Sequence, residues 1–135
     1  MKIKCIIAAA TLTVSTFAFA ANEKPANLTE IMNKFTSLTE IQRDAWLRNN
    51  SKKTSTDGIC KVEEVNKTSW LSEIREAAFE IRCEIVGSNS AILFLGSDRE
   101  EVVSQLERGE SVRFSGKIHT IKDWGFWRTA YIFVE

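Results

Sequence analysis

The sequence predicts a mainly β, α+β domain: five strands with one helix between the third and fourth, preceded by N-terminal helices. Three observations carry this. Apolar and polar residues alternate from Ile59 onward, capping signals and apolar stripes recur at helical spacing before Asn49, and one further capping signal stands at Ser97-x-x-Glu100. The chain has 135 residues with 18 basic and 18 acidic side chains. One small domain follows, burying roughly two thirds of its unfolded surface.

Residues 1–20 read as a secretory signal peptide. Lys2 and Lys4 precede the apolar run Ile6 to Val14, and Ala18-Phe19-Ala20 offers a small-residue cleavage site. Thr11, Thr13, Ser15 and Thr16 interrupt the run, which separates it from a membrane anchor of about 20 apolar residues. Cleavage near Ala20 places the product in the periplasm or outside the cell, with no membrane span. The 115 residues left hold 16 basic and 18 acidic side chains, a balance that argues against nucleic acid as partner. Cys5 leaves with the leader. Cys60 and Cys83 remain, and in an oxidising compartment an isolated pair reads as a structural disulfide.

Residues 21–37 form a linker and a first short helix, and residues 38–135 the single domain with its helical lead-in. Asn27-x-x-Glu30 and Ser37-x-x-Glu40 have capping-box spacing. Leu28, Ile31, Met32 and Phe35 give the first helix its stripe, and Leu38, Ile41, Ala45 and Trp46 the second. Asn49 to Gly58 reads as a loop. From there, Trp70 to Ile81 fits helical spacing while Phe79 to Ile85 alternates as a strand. A hairpin with Cys60 opposite Cys83, Val62 opposite Ile81 and Val65 opposite Ala78 is favoured, with Trp70 to Arg75 at its turn; a short helix before Ala77 stays open.

Gly87 to Ser90 is a turn and Ala91 to Leu95 a buried third strand. Ser97 then caps a helix carrying Val102, Val103 and Leu106 and ended by Gly109. The fourth strand, Val112 to His119, has Gly116 as a bend or bulge. After a turn at Asp123-Trp124-Gly125, Phe126 to Val134 makes a fifth strand, apolar on both faces and so covered on both, one side by the N-terminal helices.

Three strands, a helix and two strands is the order of the OB-fold, a five-stranded barrel. The passage Leu106-Glu107-Arg108-Gly109-Glu110-Ser111-Val112-Arg113-Phe114-Ser115-Gly116-Lys117-Ile118 is similar to the helix-to-strand passage of OB domains. The chain from about Leu38 to Glu135 resembles the small exported bacterial proteins grouped as tRNA-anticodon-binding-like OB domains. That resemblance implies the barrel and an exported setting. It implies no tRNA binding and transfers no functional residue.

No catalytic motif is present, and the sequence calls for no enzyme activity, cofactor or metal. His119 is the sole histidine and reads as a surface residue on a polar strand face. Glu63 with Glu64, and Glu100 with Glu101, read as solvated. The functional clue is a cationic, aromatic segment: Arg113, Lys117, His119, Lys122, Trp124, Trp127, Arg128 and Tyr131. OB-folds bind ligands on the sheet face near strands two and three and on the loops joining strands one to two and four to five. Trp70 and Trp124 fall in those loops, so Trp70, Trp124, Lys122, Arg128 and Lys117 are the candidate ligand-binding residues. Trp127 and Tyr131, on one strand face, read as core or helix-packing residues; Trp46 reads as core. Two functions fit: a non-catalytic exported module binding an envelope protein or extended ligand, or a glycan-binding subunit of a secreted toxin-like ring.

Overall fold

The computed structural model describes residues 3–5, 26–86 and 91–135. The cleavage site expected near Ala20, most of the expected leader and linker, and the turn expected at 87–90 lie outside them. The elements are β1 (Ile3–Cys5), β2 (Ala26–Asn27), α1 (Leu28–Ser37), α2 (Glu40–Asn50), β3 (Ser55–Lys67), β4 (Phe79–Ile85), β5 (Ala91–Ser97), α3 (Glu100–Val103), β6 (Ser111–Asp123) and β7 (Arg128–Val134).

Five strands close a barrel. β3, β4 and β5 pair in antiparallel succession, β5 pairs in parallel with β7, β7 pairs antiparallel with β6, and β6 returns to β3 through Cys60 opposite Val112. With α3 between β5 and β6, this is an OB-fold-like α+β barrel. Alternation sends Val62, Ile81, Cys83, Leu93, Leu95, Phe114, Ile118, Ala130 and Ile132 inward to a shared core. Two short strands add to it: β1 runs parallel to Ser111–Arg113 and β2 parallel to Thr56–Asp57.

Asn27 caps α1, its side chain accepting from Thr29 N–H at 2.9 Å and Glu30 N–H at 3.4 Å. All four expected stripe residues, Leu28, Ile31, Met32 and Phe35, are buried in the barrel core. The second helix departs from expectation. Its cap is Thr39, boxed with Gln42, while Ser37 turns its hydroxyl back to the Lys34 carbonyl. That choice rotates the stripe. Ile41 is 80% exposed, no residue of α2 is wholly buried, and Trp46 is half-buried, edge-on to Phe35 at 5.6 Å. Trp46 and Leu47 still pack against the core, partly buried, and polar contacts add to the hold on α2. Arg43 donates to the Phe35 and Thr36 carbonyls at the end of α1 and pairs with Asp123 at 3.1 Å. Beyond the helix, Ser51 donates to the His119 carbonyl and Lys52 N–H to that of Ile118. The second helix is therefore fastened along β6, not laid over β7.

The barrel corrects several expected boundaries. β3 starts at Ser55, because its polar first residues find ladder partners from Lys117 to Phe114 and Thr56 is fully buried. The β3–β4 register is shifted by two before a bulge between Val62 and Glu64, where Cys60 lies opposite Ile85 and Val62 opposite Cys83, and by three after it, where Val65 lies opposite Ile81. A shift of two preserves which side chains face inward. Residues 70–78 are neither helix nor strand but successive turns, with Ser69 and Ser72 bonding nearby backbone N–H groups. Ile74 and Ala77 anchor this loop from inside.

Ser97 does not cap a helix. It is the buried end of β5, its hydroxyl accepting Arg99 N–H at 3.1 Å, and α3 is a single turn. Gly109 takes φ +90 beyond it and donates to the Val62 carbonyl at 2.7 Å, extending the barrel ladder rather than closing a helix. Gly116 is not the bulge of β6 either. A Cβ there would run into the Phe133 carbonyl, so glycine permits close approach to β7, and the register shift falls between Ile118 and Thr120. Finally, β7 begins at Arg128, which leaves Phe126 and Trp127 in the β6–β7 turn.

Candidate functional site

On β5 and β7, Leu93, Leu95, Ala130 and Ile132 point into the core, so Phe94 and Tyr131, opposite each other in the ladder, must point outward. Their rings stack at 5.1 Å with an interplanar angle of 9°. Tyr131 is thus a half-buried surface ring and not core. Phe94 is not among the residues that the sequence singles out as candidates; the alternation of Leu93, Phe94 and Leu95 is the signal that points to it.

Beside this stack stands Lys122 of β6, its ammonium 5.9 Å from the Tyr131 ring centroid and 5.9 Å from that of Trp124. Trp124 is 51% exposed and is oriented by its indole N–H, which donates to the Thr129 hydroxyl at 3.1 Å. Glu73, from the β3–β4 loop, pairs with Lys122 at 3.2 Å. That contact ties the β3–β4 loop to the end of β6, beside the other loop expected to bind ligand. Trp70 stands on the first, 80% exposed, with no ring partner among the described residues. Trp127, expected in the core, is 42% exposed and lies against Phe126 at 5.4 Å, because the strand starts after it. Arg128 sits opposite Asp123 in the ladder.

Lys117 does not join this surface. It lines a separate open cavity of about 340 Å³ with Lys52, Glu76, Asp98 and Phe133, where Lys52 and Glu76 pair at 3.0 Å. The Lys52 ammonium holds the Glu76 carboxyl below its usual range. Arg113 lines another cavity, at the start of α1, with Asp57, whose carboxyl is raised by burial against the opposing pull of Arg113.

His119 is half-buried, not a free surface residue. It meets the Phe133 ring edge-on at 5.2 Å, and its Nδ1 is buried without a hydrogen-bond partner among the described residues. Burial pushes its pKa below the ordinary value and the Lys52 ammonium adds to this, while Glu76 and Glu73 oppose. The fold therefore favours neutral imidazole, and this contribution to stability is complete above about 6.5 and lost as pH falls below it. Thermal unfolding of His119→Gln is expected to show a weaker loss of Tm between neutral and mildly acid pH than the unaltered protein.

Cys60 and Cys83 are buried thiols at near-disulfide distance. Hydrogen bonding with Cys60, then burial, pushes the Cys83 thiol far up. Among the described residues no group of three or more His, Cys, Asp or Glu could hold a metal ion, and no helix is long and apolar enough to cross a membrane. No known protein family and no curated protein matches the chain.

Proposed function

We propose that the protein is an exported, non-catalytic binding module of the tRNA-anticodon-binding-like OB group. Its ligand, a protein segment or other extended chain in the cell envelope, lies across the outer face of β5, β7 and β6. One observation carries this reading: the Lys122 ammonium lies 5.9 Å from the ring centroids of both Trp124 and Tyr131, the latter stacked on Phe94, beside the β6–β7 loop, which corresponds to one of the loops through which OB-folds receive ligands. Flat rings and a flanking cation suit an extended ligand without demanding a deep pocket. The leader at residues 1–20 supports export, and the closeness of Cys60 to Cys83 supports a bridge made in an oxidising compartment.

The test is crosslinking capture from native envelopes with the unaltered protein and with Trp124→Ala and Lys122→Met. Both replacements alter half-exposed or exposed side chains, so stability should change by about 1 kcal/mol or less while capture falls severalfold. Capture that persists undiminished in both variants would remove this face from the function. The glycan-subunit alternative requires a closed ring, since weak sugar sites act through multivalency; light scattering that finds a monomer excludes it.

A further inference from the structure

Ile74 and Ala77 are buried, yet they lie outside the barrel core. Leu95 points inward, so alternation turns Gly96 outward on β5, and the two side chains pack there. A Cβ on Gly96 would lie 3.0 Å from Ala77 Cβ, 3.1 Å from Ile74 Cδ1 and 3.2 Å from Phe133 Cδ1. The end of the β3–β4 loop is thereby fixed as one wall of the open cavity of about 340 Å³ that Lys117 also lines. Strand pairing sets out the rest in a row. Lys117 of β6 lies opposite Phe133 of β7, Phe133 opposite Gly96, and Asp98 follows the end of β5.

The charges around this cavity are matched in one place and unmatched in two. Lys52 is the one non-glycine residue at positive φ among the described residues, at φ 63. Its N–H donates to the Ile118 carbonyl at 2.6 Å and its ammonium pairs with Glu76 at 3.0 Å. Such a backbone persists only where its surroundings enforce it, and here it holds the Glu76 wall in charge balance. Lys117 and Asp98, in contrast, have no ion-pair partner among the described residues. Asp98 accepts the Ala78 N–H at 2.8 Å and meets no cation, and Glu135, also on the lining, pairs with neither lysine. An unmatched ammonium and an unmatched carboxylate thus stand on opposite sides of the Phe133 ring.

We propose that this cavity binds a free dipeptide, with its carboxylate at Lys117, its ammonium at Asp98 and an apolar side chain against Phe133. A simple anion would meet Asp98 and Glu135, and a simple cation would meet Lys117. A zwitterion satisfies both walls. Length separates a dipeptide from a single amino acid: Lys117 and Gly96 stand two strand spacings apart, about 10 Å. An extended dipeptide spans about 7 Å, leaving a gap that the Lys117 and Asp98 side chains close, whereas one residue spans about half of that. The volume lies at the lower end of pockets that hold small ligands, about 300–1,000 Å³. This site is separate from the Phe94–Tyr131 face and stands whether or not that face binds.

The experiment is calorimetric titration of the protein with alanyl-phenylalanine, with its N-acetylated form and with its C-terminal amide. Saturable binding of one free dipeptide is expected, at least about tenfold weaker when either charge is blocked. Lys117→Met should weaken the free dipeptide to the level of the amide and leave the amide itself unchanged. Asp98→Asn, which keeps an oxygen for the Ala78 N–H, should do the same with respect to the acetylated form. No saturable binding of the free dipeptide, equal binding of the blocked forms, or unchanged affinity in both folded variants overturns the proposal. The blocked ligands decide the matter on the unaltered protein even where a variant fails to fold.

Discussion

Replacing Phe114 by Ala is expected to lower the free energy of unfolding by about 3–5 kcal/mol, read from chemical denaturation. Phe114 heads the fully buried side chains, and its β3 partner in the ladder is Gly58. A Cβ on Gly58 would lie 2.9 Å from Cζ of the ring. The ring therefore fills the space that a side chain on Gly58 would take, and removing it opens a cavity on a barrel wall that is fixed on both sides. The two positions should also be coupled. Gly58→Ala is expected to destabilise the unaltered protein by overpacking, yet to be tolerated in the Phe114→Ala background. A loss below about 1 kcal/mol for Phe114→Ala would mean that the neighbouring side chains collapse into the gap.

The Cys60–Cys83 pair, two thiols at near-disulfide distance, is expected to be bridged under the proposed export, and preventing that bridge to cost about 3 kcal/mol by the chain-entropy model. Both residues are fully buried, so the expected bridge should form before the barrel closes and resist reductant until the protein opens. With the proposed bridge formed, the intact mass of the protein should fall two hydrogens below the reduced value. Alkylation under denaturing, non-reducing conditions that modifies two thiols would refute the bridge. The paired replacement Cys60→Ala with Cys83→Ala should then unfold at lower denaturant than the oxidised protein, with a nearly unchanged slope, since the surface buried in the fold is almost the same.

The barrel was legible in the sequence because its strands bury one face each. Ile81, Cys83 and Ile85, or Leu93 and Leu95, announce that face by alternation alone. Other features depended on groups far apart in sequence. Thr56 reads as loop until the β6 ladder takes up its backbone, and Ser97 reads as a helix cap until β5 is seen to end there. The cysteine register went astray by two residues because the bulge after Val62 and the turns before Phe79 together set how the strands align. The candidate site was half visible. Lys122 and Trp124 stood out as residue types, whereas Phe94 gained meaning only when parallel pairing laid it on Tyr131.

What the sequence determined by itself was local and periodic: the alternation that makes the strands, the Asn27 cap, the stripe of α1 and the order of elements that names the barrel. These depend on neighbours within a few residues, whose energetics do not change with the rest of the chain. Tertiary structure alone decided which aromatic rings face solvent, that Lys117 belongs to a different cavity from Lys122, and that Glu73 of one loop reaches Lys122 beside the other. The physical reason is the closure of the barrel. Strand pairing fixes the direction of every side chain, but only the complete ring of pairings fixes what each one meets.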